Sequence, residues 1–336
     1  MADKDLLFVG VDLGGTSMRA GVVNKKGKVL ALEKRKTHPE RSGVDLIRGN
    51  AKATVERLTE TIQRAVRNAK VRMRDIGGIG VAIPGVVDID AGIVRLAPNL
   101  GSSWKNFRFV ERLQSLLERN VYLFNDVRAG AIGELTHGAG KGVKDMVAIF
   151  IGTGIGGGLV LNGDLRIGFR GGAGEIGHTV VAADNQVIGI TGQPGTVEPL
   201  ASRTGMERMI RDAVAQGHSS VVPELIETIG QGRLTSSVII EALRRGDSVM
   251  QETLARAQHY LGILAANLVN ILDPQMIVFG GGVTERLGMK FITPIREVAM
   301  KNFIQKQNAR LVKFVPAALK DNAGVVGAAV LARRQG

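Results

Sequence analysis

The chain has 336 residues, of which 45 are glycine and none is cysteine. The lack of cysteine excludes disulfides, iron–sulfur clusters, thiolate zinc sites and a cysteine nucleophile. Lysine and arginine outnumber aspartate and glutamate by 44 to 31, so the formal net charge is +13. This charge favours anionic partners, but the basic residues are scattered and only 4% of residues are aromatic, which leaves little for base stacking. We therefore expect no specific nucleic-acid partner.

The sequence also carries no membrane or export signal that we recognise. Residues 1–10 lack a basic segment followed by a long apolar stretch, so no signal peptide is predicted. The uncharged stretch 146–163 is short and rich in glycine, and it predicts two buried strands around a turn rather than a transmembrane helix. We therefore expect a cytoplasmic protein with no membrane partner.

The first 125 residues predict a mixture of strands and helices. The strands are predicted over residues 6–13, 17–23, 28–36, 79–83 and 121–124, and the helices over residues 45–70 and 107–118. Asp126 follows the last of these strands, at a position that suits the start of a helix.

A second series of elements begins at residue 146. Its strands are predicted over residues 146–151, 159–161, 276–279 and a stretch near 311–315, and its helices over residues 248–272 and 324–332. Alternating strands and helices of this kind indicate an α/β fold.

One strand–turn–strand pattern occurs twice. Gly15-Thr16 is followed after four residues by Gly21, and the same pattern begins again at Gly152, 137 residues later. Both copies lie between predicted strands. Two copies of one such unit indicate a duplicated fold with two phosphate-binding loops.

Three glycine-rich turns, at residues 14–16, 152–154 and 280–282, follow predicted buried strands. Backbone N–H groups in such turns can surround phosphate oxygens, and a threonine hydroxyl adds a further donor. A tight structural turn explains any one of them, but three in one chain favour phosphate binding. Asp12, at the end of the first strand, could hold Mg²⁺ through a water molecule.

Two common nucleotide motifs are not supported. The Walker pattern fails over residues 135–142, where leucine and glycine take the places of the required glycine and hydroxyl residue. The glycine pattern over residues 152–157 leads into a further strand rather than a helix, so it lacks the context of a dinucleotide fold.

Polar residues near these turns are candidates for chemistry. Asp126 can accept a proton from a substrate hydroxyl that attacks a γ-phosphoryl group, although a helix-capping aspartate with no chemical role is the simpler explanation. Glu175 and His178 are three residues apart and can face one ligand on a tight turn, although a lone histidine is more often structural. The five histidines show no metal-binding spacing.

Taken together, these motifs resemble the ROK family of repressors, open reading frames and kinases, within the superfamily of sugar kinases, heat-shock protein 70 and actin. The resemblance runs over about residues 7–332. The matching residues are Asp12-Leu13-Gly14-Gly15-Thr16, Pro84-Gly85, Asn99, Asn125-Asp126, Gly152-Thr153-Gly154-Ile155-Gly156-Gly157-Gly158, Glu175-Ile176-Gly177-His178, Glu198 and Gly280-Gly281-Gly282.

The resemblance implies a fold and a domain arrangement. The fold is an actin-like ATPase fold, a duplicated α/β fold of two ribonuclease-H-like domains, with ATP and a hexose meeting in an active-site cleft between them. We expect residues 1–124 together with 320–336 to form the smaller domain, and residues 125–319 to form the larger one.

The resemblance also assigns roles at matching positions. Asp126 would be the base for a sugar hydroxyl, typically the 6-OH. Nucleotide binding would involve Asp12, Gly14, Gly15, Thr16, Thr153, Gly154, Gly281 and Gly282. Sugar binding would involve Gly85, Asn99, Asn125, Glu175, His178 and Glu198.

The sequence departs from the family at one site. Most members bind a structural zinc beside the sugar through a histidine and three cysteines, but here the cysteine positions hold Gly189, Thr191 and Thr196. We therefore expect no structural zinc, and His178 has no such ion to hold. Loop 189–197 must then be fixed by turn chemistry and packing, while Glu198 keeps its place in the pattern.

These observations predict an ATP- and Mg²⁺-dependent sugar kinase with glucose O6 as the first choice of acceptor. Two alternatives stay open: a kinase for another hexose, such as N-acetylmannosamine, fructose or allose, and a sugar- or nucleotide-binding sensor without turnover. The family's repressors carry a helix-turn-helix domain before the kinase-like part, and we expect none here. Family members are often dimers or tetramers, so we expect a homo-oligomer.

Overall fold

The computed structural model describes residues 6–38, 50–189 and 192–335. Its strands are β1 (Leu7–Leu13), β2 (Ser17–Val23), β3 (Val29–Lys36), β4 (Ile76–Ile83), β5 (Val86–Asp88), β6 (Ile93–Leu96), β7 (Phe107–Arg108), β8 (Val121–Asn125), β9 (Met146–Ile151), β10 (Ile155–Leu161), β11 (Asp164–Leu165), β12 (Met276–Gly280) and β13 (Lys313–Pro316). Its helices are α1 (Ala51–Asn68), α2 (Phe109–Leu117), α3 (Asp126–His137), α4 (Val197–Ala201), α5 (Arg203–Ala215), α6 (Val222–Thr228), α7 (Ser236–Arg244), α8 (Ser248–Leu272), α9 (Gly282–Leu287), α10 (Met289–Lys301) and α11 (Ala323–Gln335).

The described chain divides into two compact units. The first comprises the described residues up to Gly142 and from Asp321 onward, and the second comprises Val143–Lys320. The first boundary therefore falls later than residue 124, because α3 packs against α11 and belongs with it in the first unit. The amino-terminal part of the predicted helix 45–70 lies outside the described residues, and the rest of that prediction corresponds to α1.

The first unit is built on a five-stranded sheet in the order β3-β2-β1-β4-β8. Strands β1, β4 and β8 are parallel, and β2 and β3 run antiparallel to their neighbours. The central strand β1 is apolar on both faces. Val9 and Val11 join a core with α1 and α2, and Phe8, on the opposite face, packs with Val325 of α11. Edge strand β3 instead alternates between half-buried and exposed residues, as expected for a strand with one covered face.

Helix α11 lies directly against backbone, and glycine makes this approach possible. A Cβ atom at Gly10 of β1 would lie 1.8 Å from the carbonyl oxygen of Val325, and one at Gly327 of α11 would lie 1.7 Å from that of Ala129 in α3. No side chain fits at such distances. Glycine at these positions therefore allows the backbone of α11 to contact the backbones of β1 and α3 directly.

A small antiparallel sheet, β5-β6-β7, extends from the end of β4. The single tryptophan of the chain, Trp104, is fully buried beside it. Its ring lies 5.6 Å from that of Phe107 and 6.1 Å from that of Phe109, measured between centroids. This packing fixes the segment that carries Asn99, one of the predicted sugar-binding residues.

The second unit repeats the sheet of the first. Its strand order is β11-β10-β9-β12-β13, with β9, β12 and β13 parallel and β10 and β11 antiparallel to their neighbours. The hairpins β1–β2 and β9–β10 hold equivalent places in the two sheets, which confirms the duplication predicted from the repeated glycine pattern. The β10–β11 hairpin turns at Asn162 and Gly163, whose φ angles of +56° and +83° are typical of a type I′ turn.

Helix α8 is the core helix of the second unit, and it packs against α4, α5, α7 and α10. Its bounds match the prediction of 248–272. Asp247 caps its start by accepting a hydrogen bond from Met250 N–H, and Asp273, with φ of +44°, ends it before Pro274. Even this helix is not apolar enough to cross a bilayer, and the same holds for every other helix in the described ranges.

The packing of α11 predicts the effect of one added methyl group. Gly327→Ala should lower the free energy of unfolding of the first unit by about 1–3 kcal/mol, because Cβ overlaps the backbone of α3. On helix propensity alone the same change would stabilise a helix by about 1 kcal/mol, so the sign of the effect identifies the cause. Denaturant unfolding followed by Trp104 fluorescence measures it. Gly77→Ala is the matched control, since its nearest neighbours are ring carbons of Phe8 at 3.1 Å, and it should change the midpoint little.

Candidate active site

The carboxyl ends of β1, β4 and β8 lie side by side at one edge of the first sheet. Asp12 pairs in register with Ala82, and Ile83 pairs with Asn125. Because parallel strands present their carboxyl ends together, loop 14–16, Gly85 and the Asn125-Asp126 pair follow at the same edge. The first unit thus brings together most of the predicted site residues that it contains.

Loop 14–16 is held by the far end of β3. The hydroxyl of Thr37 donates to Gly14 O at 2.6 Å, and Thr37 N–H donates to Thr16 O at 3.0 Å. A Cβ atom at Gly15 would lie only 2.6 Å from Asn99 O, so glycine is required there. The structure therefore places the predicted nucleotide loop against Asn99, a predicted sugar-binding residue.

Asp12 is a half-buried carboxylate on the face of β1 that α11 covers. A Cβ at Gly324 of α11 would lie 3.1 Å from Asp12 Cγ, so glycine leaves the room that this carboxylate occupies. Burial raises the pKa of Asp12; the positive charge of Arg19 opposes this shift, and the negative charge of Asp321 adds to it. Arg19 itself is bound to Asp321, with Nη2 2.6 Å from its carboxylate and Nη1 2.7 Å from its carbonyl oxygen.

Asn125 and Asp126 have different tasks at the start of α3. The Asn125 carboxamide oxygen accepts from Arg128 N–H at 3.2 Å, and its nitrogen donates to Gly85 O at 3.1 Å. Gly85 has a φ of +104° and lies against Leu96 O, where a Cβ would be 2.2 Å away. Asn125 is therefore the cap of α3, and it also fixes the turn after β4.

Asp126 is the first residue of α3 and is half-buried. Its Oδ1 accepts from the N–H of Val127 at 2.9 Å. A carboxylate at a helix amino terminus is stabilised by the helix dipole. Asn125 is thus the cap residue of α3, and Asp126 uses one carboxylate oxygen on a further N–H group of the first turn.

In the second unit, turn 152–154 is anchored by two helices. Glu198 of α4 accepts from Ile155 N–H through Oε2 at 2.8 Å, and a Cβ at Gly154 would lie 2.3 Å from that oxygen. Thr204 Oγ1 of α5 donates to Thr153 O at 2.9 Å. Glu198, predicted to contact sugar, therefore uses one of its two oxygens to hold the second glycine turn.

Residues 280–282 lie beside the same turn. Gly281 has a φ of +99°, and a Cβ there would lie 2.0 Å from Ile151 O, at the end of β9. A Cβ at Gly282 would lie 2.9 Å from Ser236 Oγ. The structure thus brings together Thr153, Gly154, Gly281 and Gly282, the four predicted nucleotide-binding residues of this unit.

The segment that carries Glu175 and His178 packs on β10. Gly157 N–H donates to Gly174 O at 3.1 Å, and a Cβ at Gly177 would lie 2.2 Å from Ile155 O. Within this tight turn Glu175 is exposed and His178 is half-buried. The same Cβ would lie 3.5 Å from Cβ of Glu198, so this segment and Glu198 are neighbours.

Loop 189–197, where relatives are expected to carry cysteines, is connected by backbone hydrogen bonds. Gly195 N–H donates to Val187 O at 3.0 Å, Val181 N–H donates to Gly195 O at 2.9 Å, and Val197 N–H donates to Thr179 O at 3.0 Å. Thr191, at one of the cysteine positions, lies outside the described residues. Within the described ranges no cluster of three or more histidine, aspartate or glutamate side chains is arranged to hold a metal.

Several residues at the site were not predicted from the sequence, among them Thr37, Arg203 and Thr204. Thr37 fixes the first loop, and Arg203 contacts the second turn, where its Nη2 donates to Thr153 Oγ1 at 3.2 Å. Thr37 follows a strand of alternating exposed residues, and its burial is visible only in three dimensions. Arg203 belongs to no motif and lies fifty residues from Thr153.

Comparison with known proteins gives a consistent result. A family model described as the ROK family matches residues 8–335. The chain is 31% identical over 332 residues to a glucokinase of Halalkalibacterium halodurans, covering 99% of this chain and 96% of that protein. It is also 31% identical over 321 residues to a xylose repressor of Caldicellulosiruptor bescii, covering 95% of this chain and 76% of the repressor. Among solved structures, a ROK family glucokinase from Streptomyces griseus in complex with glucose and AMPPNP matches with a TM-score of 0.79 and 30% identity, over 98% of this chain and 100% of that chain.

The raised pKa of Asp12 predicts that the difference in stability between the wild type and Asp12→Asn depends on pH. Between the pKa of an unfolded aspartate and the raised pKa of Asp12, the unfolded chain has lost a proton that the folded chain keeps, so this residue makes wild-type stability fall as pH rises. Asp12→Asn removes the effect. Its stability relative to wild type should therefore increase across that interval and then level off.

Urea unfolding followed by Trp104 fluorescence, from about pH 4 to about pH 8, tests this prediction. Other carboxylates contribute equally to both proteins and cancel in the difference. A stability difference that stays constant over the whole range would show that burial of Asp12 has no energetic cost.

Two buried threonines predict opposite effects of the same substitution. Thr196, at a cysteine position of the family, is fully buried, and its hydroxyl has no hydrogen-bond partner in the described structure. Thr196→Val should leave thermal stability unchanged or raise it. Thr37→Val is the matched control: it leaves Gly14 O without its donor and should cost about 1–3 kcal/mol.

Thermal unfolding followed by circular dichroism measures both variants, with and without EDTA. We expect EDTA to change neither melting curve when ATP is absent, because backbone hydrogen bonds connect loop 189–197. A lower melting temperature in EDTA would contradict this and point to a structural metal.

Proposed function

The chain belongs to the ROK family, and from that premise we propose that it is an ATP-dependent glucokinase that transfers the γ-phosphoryl group of ATP to O6 of glucose. The full-length similarity to a glucokinase, and to a glucokinase structure with glucose and AMPPNP, supports this activity. The structural observation that carries the proposal is the position of Asp126. Asp126 follows β8 at the sheet edge that also carries Asp12 and loop 14–16, and Asn125 rather than Asp126 is the cap residue of α3.

In the proposed reaction, Asp126 accepts the proton of the 6-hydroxyl group as that oxygen attacks the γ-phosphorus. The new O6–P bond forms while the bond between the γ-phosphorus and the bridging oxygen breaks, and ADP leaves with that electron pair. Asp126 lies at the amino terminus of α3, where the helix dipole favours negative charge. The backbone N–H groups of turns 14–16 and 152–154 are the proposed donors to phosphate oxygens.

Asp12 fits the Mg²⁺ ion that would accompany ATP. Its carboxylate is half-buried and has a raised pKa, so a cation close to it would offset the cost of its burial. The ion, when bound, supplies positive charge to the phosphate oxygens. We propose that Asp12 holds it through coordinated water, and Arg19, bound to Asp321, keeps the surrounding backbone in place.

Each unit carries residues that we propose as sugar contacts. Asn125 keeps one amide hydrogen after donating to Gly85 O, and Glu198 keeps one carboxylate oxygen after accepting from Ile155 N–H. Hydrogen bonds from fixed groups of this kind distinguish one hexose from another. The other proposed sugar-binding residues are Gly85, Asn99, Glu175 and His178.

Some expectations about partners stay predictions. They are a homo-oligomeric state, a cytoplasmic location and the lack of specific nucleic-acid or membrane partners. The similarity to a xylose repressor keeps the sensor without turnover as the competing function. A sensor without turnover would give no sugar-dependent ADP release in the assay described next.

Asp126→Asn should reduce sugar-dependent ADP release on the order of 10²–10⁴-fold, the range for loss of a general base, and should leave the fold intact. A coupled assay with MgATP measures release against glucose, fructose, mannose, N-acetylglucosamine and N-acetylmannosamine. Asp90→Asn, an exposed carboxylate in the same unit, is the control for charge. We expect the highest rate with glucose.

Three outcomes bear on the proposal. Release with a different hexose would keep the kinase and change its substrate. Full activity of Asp126→Asn would remove this residue from the mechanism. No release with any sugar, from folded wild-type protein that binds ATP, would favour the sensor.

A further inference from the structure

Arg203 is fixed at the second glycine turn through both its backbone and its side chain. Its N–H donates to Gly152 O at 3.1 Å, and its Nη2 donates to Thr153 Oγ1 at 3.2 Å. The next residue, Thr204, holds the other side of the turn through Thr153 O. The guanidinium group of Arg203 therefore has a defined position beside the exposed side chain of Thr153.

The charge of Arg203 is not balanced within the described structure. Its Nε is buried and has no hydrogen-bond partner, and no carboxylate of the described ranges pairs with it. Burial lowers the pKa of Arg203, and the positive charge of Arg233 lowers it further. By contrast, Arg211 on the same helix is paired with Glu207 at 2.7 Å. A partly buried guanidinium facing another cation is unfavourable unless an anion is bound.

The neighbouring arginine is held near the same helix. Glu207 accepts from Leu234 N–H through its second oxygen at 2.7 Å, which ties the segment next to Arg233 to α5. Arg203 lies one helical turn before Glu207. Arg233 therefore lies close enough to Arg203 for their charges to interact.

The contact with Arg203 also orients the hydroxyl group of Thr153. A hydroxyl has one hydrogen to donate, and here its oxygen already accepts from Arg203. Its hydrogen is thus available for an acceptor outside the turn. A phosphate oxygen satisfies both groups, because the guanidinium fork matches phosphate geometry and the threonine supplies a further donor.

We propose that Arg203 binds a phosphate group of the nucleotide at turn 152–154, with Arg233 adding positive potential there. This inference rests on the proposed function only for the identity of the ligand as a nucleotide. The glycine turns supply neutral N–H donors, and Arg203 adds the full positive charge that they lack. A phosphate group would offset the positive charge of the two arginines, whereas a neutral sugar would not.

Binding of ADP, AMP and adenosine, measured by calorimetry, separates a phosphate contact from a general effect on the site. Arg203→Gln should weaken ADP binding about 10–100-fold, the loss expected for a charge-assisted hydrogen bond, and should leave adenosine binding unchanged. Arg203→Lys, which keeps the charge and loses the fork, should restore part of the affinity. Arg256→Gln, an exposed arginine on α8, is the control for net charge and should bind ADP as wild type does.

Equal weakening of ADP and adenosine by Arg203→Gln would overturn the proposal, since Arg203 would then only support the turn. Unchanged ADP affinity would overturn it as well. In steady-state assays the KM for ATP should rise while the KM for glucose stays constant. If the wild type phosphorylates no hexose but its ADP affinity still depends on Arg203, the kinase assignment fails and the phosphate contact stands.

Discussion

The close approach of helix α11 to the central strands is the constraint on which the candidate site residues of the first unit depend. Gly10, Gly80 and Gly327 leave no side chain between α11 and the backbone that it covers. This brings Gly324 against Asp12, where a Cβ would lie 3.1 Å from Cγ of Asp12. The same contact explains why Asp12 has a raised pKa. A larger residue at any of these glycines would displace the helix and expose the group proposed to hold Mg²⁺.

The two units share a strand order but secure their glycine turns differently. In the first, β3 has eight residues and continues to Thr37, which binds loop 14–16 through both its hydroxyl and its N–H. In the second, the equivalent strand β11 has only two residues and ends far short of the turn. Instead, Glu198 of α4 and Arg203 of α5 form hydrogen bonds with turn 152–154 and the residue after it. Both units therefore contain the glycine turn. A residue at the end of a strand holds it in the first unit, and charged side chains of two helices hold it in the second.

Local signals explain which parts of the structure could be predicted from the sequence. Helix α8 matches its predicted bounds because its apolar spacing and Pro274 are local signals, and Asp247 caps its start within the same short range. The pair Asn125-Asp126 was ambiguous, since either side chain can cap a helix and only the geometry identifies Asn125 as the cap. The roles of Thr37 and Arg203 could not be predicted, because they arise from contacts between residues far apart in sequence. The hydrophobic periodicity of the sequence does not indicate such contacts.

Glu198 connects segments of the second unit that carry proposed ligands, in a chain that lacks cysteine. Its carboxylate is bonded to Ile155 N–H, and the preceding residue, Val197, donates its N–H to Thr179 O, next to His178. Both bonds connect α4 to segments that carry predicted ligands. A zinc ion would connect this loop through side-chain ligands, whereas here backbone hydrogen bonds connect it. The proposed sugar-binding segment and the proposed phosphate turn are thus coupled through one glutamate, so a substitution of Glu198 should disturb nucleotide binding as well as sugar binding.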